Sequence, residues 1–126
     1  MKRGVLVFWL AILAIIIAGF GASFFASARP GQLDTFTQCL KDKDVVMYGA
    51  FWCPHCQATK RMFGSSAKLL PYVECSTPDG QGELQICKDK GVTGYPTWTF
   101  PGTTTVLVGE HTLQELSTAS GCALPQ

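Results

Sequence analysis

Residues 50–60 read AFWCPHCQATK, and the cysteines at 53 and 56 decide how the rest of the chain is read. They follow DVVMYGAFW (44–52), a β-branched and aromatic run suited to a buried strand. From Cys53 to about Leu69 the pattern turns helical, with Met62 and Phe63 expected to face inward. Cys53 therefore ends a strand, and Cys56 lies in the first turn of the next helix. The first N–H groups of a helix lack partners and carry partial positive charge, which favours a thiolate at Cys53. Pro54 is tolerated there because its missing N–H would have had no helical partner. His55 can direct a hydrogen bond or positive charge toward the sulfur. Cys56, one turn inside, is expected to be less exposed and suits the resolving role. A thiolate held in this way leaves readily, so a Cys53–Cys56 disulfide should be easy to reduce. That favours oxidising the thiols of other proteins.

Two other readings of the pair are weaker. A bridge closing so small a loop removes little chain entropy, so a permanent staple gains little. Zinc needs four convergent ligands, typically paired at short spacing, and no second short-spaced pair follows CPHC. His111 is lone and reads as solvated near a helix start. Haem attachment needs a histidine directly after the second cysteine, where Gln57 stands. The sequence thus calls for no metal and no cofactor beyond the redox-active pair.

The 126 residues suffice for one domain. Net charge is +1, and the chain beyond residue 28 carries 8 basic against 9 acidic side chains. No basic stripe argues for nucleic acid. Six cysteines in so short a chain point to an oxidising compartment or a metal site. The N-terminus selects the compartment. Lys2 and Arg3 precede VLVFWLAILAIIIAGFGASFF (5–25), which has no charged side chain. As a helix it would reach about 32 Å, enough to cross a hydrocarbon core of about 30 Å. A core helix with no polar face would need protein on every side, which so small a domain cannot supply. Ala26-Ser27-Ala28 offers a small-x-small cleavage site, but the apolar run exceeds that of a signal peptide, so an uncleaved anchor is favoured. Either way the basic end stays in the cytoplasm and the remainder is exported. The expected organisation is an anchor or signal peptide over 1–28, a linker over 29–32 and one domain over 33–126.

Within that domain, LDTFTQCLKDK (33–43) reads as a helix and LPYVEC (70–75) as a second strand. STPDGQG (76–82) reads as a turn-rich loop and GELQICKDKG (82–91) as a short helix. YPTWTF (95–100) and TTTVLVG (103–109) form a hairpin at Pro101-Gly102. HTLQELSTASG (111–121) closes with a helix capped by Thr112 and stopped at Gly121. The order α β α β α β β α implies an α/β fold, a mixed central sheet with helices on both faces, as in the thioredoxin fold.

MYGAFWCPHC with GVTGYPTW some forty residues later resembles the thioredoxin superfamily, and the CPHC insert is similar to that of DsbA-type disulfide oxidases. More closely, the stretch from about Cys39 to Gly121 resembles the thioredoxin-like domain associated with bacterial and plant vitamin K epoxide reductase homologues. The resemblance implies that Cys53 attacks and Cys56 resolves. It implies that Tyr95-Pro96 is a cis-proline turn beside the Cys53 sulfur, presenting backbone to a substrate peptide. It also implies a quinone-linked vitamin K epoxide reductase-like membrane partner that takes the electrons. One departure stands out. Thioredoxins carry a buried aspartate six positions before the first cysteine, and here that position is Met47. The proton acceptor for Cys56 is then open, with Lys60 and Glu74 as candidates, although solvated surface charge is the simpler role for both.

Cys39, Cys75, Cys87 and Cys122 can pair in three ways. Cys75 closes a strand and Cys87 lies in the next helix, which favours Cys75–Cys87 and, by elimination, Cys39–Cys122. A second, relaying redox pair is the functional alternative, and a Cys75–Cys122 link would overturn the assignment. Phe51, Trp52, Tyr95 and Trp98 are more often core residues, with Trp52 the one expected at the surface. An apolar rim there would grip reduced or misfolded exported proteins without sequence preference. The expected function is a membrane-tethered, extracytoplasmic thiol-disulfide oxidoreductase. The alternatives are a reductase or isomerase with reversed electron flow, and a non-enzymatic metal-binding or interaction module.

Overall fold

The computed structural model describes residues 2–27 and 30–126, with side-chain surroundings for 3–20 and 30–126. Ala28 of the candidate cleavage site and Arg29 of the linker lie outside the described residues. The chain divides into two units, residues 1–30 and 31–126.

The first unit is one helix, α1 (Lys2–Ser27). Its window Arg3–Phe20 has a mean hydropathy of 2.4 and is long and apolar enough to cross a membrane.

The second unit runs α2 (Asp34–Asp42), β1 (Val46–Gly49), α3 (Pro54–Phe63), a 3-10 helix (Gly64–Leu69), β2 (Tyr72–Glu74), α4 (Gln85–Asp89), β3 (Thr97–Thr99), β4 (Val106–Val108) and α5 (Leu113–Ser120). The four strands lie in the order β2-β1-β3-β4. β1 pairs parallel with β2, setting Met47 opposite Tyr72, and antiparallel with β3, setting Met47 opposite Trp98. The mixed sheet expected from the sequence is therefore present.

Alternation along β1 divides the core. Met47 joins Phe36 and Leu40 of α2, Phe63 of α3, Trp98 of β3 and Leu116 of α5 in the larger cluster. Tyr48 faces the smaller one, with Cys75, Val92 and Cys87 of α4. Phe63 stacks between Phe36 and Trp98, at 6.0 and 6.3 Å between ring centroids. Disulfides join Cys39 to Cys122 and Cys75 to Cys87, the pairing favoured from the sequence. Lys43 Nζ donates to the Ser120 and Gly121 carbonyls, closing the C-terminal end of α5 against the loop after α2.

Several elements are shorter than the sequence pattern suggested. The helix expected over 53–69 stops at Phe63, because Gly64 takes a positive φ of 54° and the chain continues as 3-10 helix. Met62 is 40 % exposed while Phe63 is buried, since neighbouring positions on a helix cannot both face one core. The helix expected from 82 begins only at Gln85, because Glu83 bridges to Ser76 in extended form and Leu84 N–H bonds the Cys75 carbonyl at 2.7 Å. The hairpin turn includes Pro101-Gly102 but is longer, because the Thr103 hydroxyl donates to the Phe100 carbonyl and accepts Thr105 N–H. At α5 the Thr112 cap forms a reciprocal capping box with Glu115, and Gly121 ends the helix in the left-handed conformation.

Candidate functional site

After Gly49 the chain leaves the sheet and turns at Ala50, whose carbonyl accepts Cys53 N–H at 3.0 Å. Cys53 is the N-cap of α3, with extended dihedrals (φ −75°, ψ 119°) and Pro54 just inside the helix. Its Sγ accepts the Cys56 N–H at 3.4 Å, so an otherwise unpaired helix donor points at the sulfur. From the opposite side the Tyr95 carbonyl accepts a 3.7 Å hydrogen bond from the Cys53 thiol. Tyr95-Pro96 is cis, as the resemblance implies. Both cysteines are thiols, Cys53 4 % exposed and Cys56 1 %.

A thioredoxin family profile matches residues 29–119, nearly the whole second unit. The chain belongs to the thioredoxin family. A thiol-disulfide oxidoreductase of Arabidopsis thaliana, LTO1, is 47 % identical over 85 residues, covering 64 % of this chain and 22 % of that protein. A protein disulfide-isomerase of Aspergillus oryzae is 35 % identical over 100 residues, covering 65 % of this chain and 19 % of the relative. One from Humicola insolens is 34 % identical over 68 residues, or 51 % and 14 %. The chain thus spans about a fifth or less of the length of these relatives.

Against the thioredoxin-family pattern, four features of the surroundings differ from the sequence expectation. The partner of His55 is a carboxylate: its Nδ1 lies 2.5 Å from Glu110 Oε1, on the loop before α5. Phe51 is as exposed as Trp52, each at 50 %, whereas Trp98 is fully buried and Tyr95 partly so. His111 is not merely solvated, since its Nε2 lies 3.3 Å from the Val108 carbonyl and its Nδ1 3.6 Å from Glu115. Lys60 and Glu74 are not loose surface charges either. Lys60 Nζ stands 3.3 Å from the centre of the Tyr72 ring. Glu74 accepts hydrogen bonds from Phe51 N–H, Ser76 N–H and the Tyr72 hydroxyl.

The exposed aromatics rest on the loop closed by Cys75–Cys87. Trp52 Nε1 donates to Ser76 Oγ at 2.8 Å, and the Trp52 ring meets Tyr95 edge to face at 6.0 Å. The Tyr95 hydroxyl donates to Glu83 Oε1 at 2.9 Å. Burial, followed by that carboxylate, holds the Tyr95 hydroxyl well above the usual range, so it remains a neutral donor. The result is an aromatic shelf beside Cys53, with Pro54 and His55 exposed on the helix side.

Cys56 lies deeper. Burial pushes its thiol far above the ordinary cysteine range, with Lys60 among the groups opposing that shift. Gly49 makes the position possible. A Cβ there would sit 2.8 Å from Cys56 Sγ and 2.9 Å from Tyr72 Cε2, so only glycine fits. Tyr72, Ser76, Glu83 and Glu110 were not singled out in the sequence, since none lies near CPHC in the chain, and Gly49, four residues before Cys53, was passed over because its role depends on the cross-strand neighbour Tyr72. Among the described residues, no group of three or more His, Cys, Asp or Glu side chains could hold a metal ion.

Proposed function

We propose that this chain is a membrane-tethered protein thiol-disulfide oxidoreductase, with Cys53 as the exchanging sulfur and Cys56 as its partner. The observation that carries the reading is the seat of Cys53 at the start of α3, facing the Cys56 N–H on one side and the Tyr95 carbonyl on the other. A helix-terminal donor offsets negative charge on the sulfur. A substrate segment reaching Cys53 would lie beside the Tyr95 backbone, whose carbonyl already faces the sulfur.

In the oxidising direction a substrate thiolate attacks Cys53 Sγ of the Cys53–Cys56 disulfide. The sulfur–sulfur bond breaks, its electron pair goes to Cys56, and a mixed disulfide joins Cys53 to the substrate. A second substrate thiolate then attacks the substrate sulfur and releases Cys53, leaving one new substrate disulfide and a reduced pair. The aromatic shelf of Phe51, Trp52 and Tyr95 suits reduced or misfolded chains as clients. With α1 as anchor and Lys2 and Arg3 on the cytoplasmic side, the domain stands outside the cytoplasm. A quinone-linked vitamin K epoxide reductase-like membrane protein would then reoxidise the pair, a reading that rests on the resemblance of the Cys39–Gly121 stretch.

The reverse flow has one observation in its favour. The Glu110 carboxylate beside His55 offsets the positive charge that a CPHC insert would bring to the sulfur. Replacing Cys56 with Ser should accumulate mixed disulfides through Cys53 in cells, and trapping none would sink the exchange reading. The redox potential of the pair sets the direction. A value near that of thioredoxin, about −270 mV, would overturn the oxidising assignment, and one toward about −120 mV, as in DsbA, would support it.

A further inference from the structure

Exchange at this pair, on which the inference rests, places negative charge on Cys56 Sγ in either direction. As an oxidant the enzyme expels Cys56 as a thiolate, which must then take up a proton. As a reductant it must remove that proton before Cys56 can attack. Cys56 is 1 % exposed, and the adjacent strand position where thioredoxins keep an acid holds the fully buried Met47. A thiolate stranded there without a counter-charge would be costly.

The neighbours of Cys56 supply what position 47 lacks. The bare Cα of Gly49 lets the Cys56 sulfur and the Tyr72 ring approach one point, at 2.8 and 2.9 Å, with the Tyr72 hydroxyl at 3.4 Å. Lys60 follows Cys56 by four residues, so both lie on one face of α3. Its ammonium does not run out to solvent but stands over the Tyr72 ring, 3.3 Å from the centroid. The Tyr72 hydroxyl donates to Glu74 Oε2 at 2.7 Å. The other Glu74 oxygen accepts Phe51 N–H at 3.1 Å and Ser76 N–H at 2.9 Å, which fixes the carboxylate at the protein's partly exposed edge. Burial and then Glu74 hold the Tyr72 hydroxyl well above its usual range, so it stays neutral. The titratable groups around Cys56 are thus Cys53 and Lys60 from α3, Tyr72 and Glu74 from β2, and Tyr95 from the segment before β3.

We propose that Lys60, Tyr72 and Glu74 are positioning residues that manage the charge of Cys56. Lys60 offsets the thiolate, and the Tyr72–Glu74 pair carries the proton between the buried sulfur and water. The device replaces an acid beneath the sulfur with a cation held across an aromatic ring from the neighbouring strand.

The test uses the full-length reduced protein in detergent and an aromatic disulfide, 5,5′-dithiobis(2-nitrobenzoate). Cys53 attacks the reagent, releases one coloured thiolate and keeps the other half as a mixed disulfide. Cys56 then loses its proton, attacks Cys53 Sγ, releases the second thiolate and closes the Cys53–Cys56 bond. The first phase reads Cys53 and the second reads Cys56. Lys60→Met should slow the second phase by about tenfold at neutral pH and move its midpoint to higher pH, because the lost cation raises the proton affinity of Cys56. The first phase should be unchanged, and Lys60→Arg should restore the second. Tyr72→Phe keeps the ring but cuts the link to Glu74, and should slow the second phase by about threefold. A second phase in Lys60→Met with wild-type rate and pH profile overturns the proposal. So does equal slowing of both phases, which would mark a general disturbance of the fold. Wild-type protein with no first phase would instead sink the exchange reading itself.

Discussion

The chain builds two cysteine pairs on one plan and leaves them in different states. Cys53 and Cys75 each follow a strand of the sheet, and Cys56 and Cys87 each lie in the helix that comes next. Cys75 and Cys87 are bonded, fully buried and separated by 12 residues. Cys53 and Cys56 are thiols, and only Cys53 has its sulfur at a helix N-terminus with a backbone carbonyl opposite. Strand-then-helix placement is common to both pairs. What separates them is whether a sulfur caps the helix or sits inside it. A capping sulfur faces an otherwise unpaired helix N–H group, whereas an interior sulfur faces the core.

The sharpest way to break this contrast is to remove each pair in turn. Cys53→Ser should abolish thiol exchange while leaving the unfolding midpoint close to that of the parent. Cys75→Ala with Cys87→Ala should cost about 3 kcal/mol of stability, from the loop entropy released, yet retain exchange. Denaturant melts and an insulin-reduction or thiol-oxidation assay on the same samples decide it. Loss of exchange from a still-folded double variant would show that the second pair relays electrons. Gly49→Ala probes the deeper half of the first pair. The added methyl meets both Cys56 Sγ and the Tyr72 ring, so stability should fall by about 1–3 kcal/mol, with Cys56 affected more than Cys53 in alkylation rate. An unchanged melt would mean that strand β1 shifts freely there. The smallest effect should come from Ser76→Ala, which cuts the bond by which the bridged loop holds Trp52. About 1 kcal/mol is expected, together with a weakened affinity for unfolded clients in a binding titration and an intact reaction with small disulfides. Equal losses toward both kinds of substrate would place Trp52 in the chemistry and not in client binding.

Much of this was legible in the sequence, for identifiable reasons. CPHC after an apolar run located the helix start, because strand and helix periodicities meet there. Thr112 three residues before Glu115, and Gly121 at the end, declared α5 at both ends through purely local chemistry. The bonding of Cys75 with Cys87 followed from short-range order. What escaped depends on pairing across the sheet. Tyr72 comes beside Cys56 only because β2 runs parallel to β1 in the register that sets it opposite Met47. No local pattern near position 72 encodes that register. Likewise, His55 meets Glu110 through two loops far apart in the chain. The outward turn of Phe51 was hidden for another reason, since a bulky apolar side chain after a strand reads as core until the turn at Ala50 is seen.

The complete burial of both residues in the Cys75–Cys87 bridge also bears on how the molecule meets reductants. An incoming thiolate must approach along the sulfur–sulfur axis, and rates of exchange depend on that access. Reductants that reach Cys53 at the mouth of α3 can therefore cycle that pair many times without unlatching the bond that braces the shelf, so wear at one pair is separated from wear on the frame.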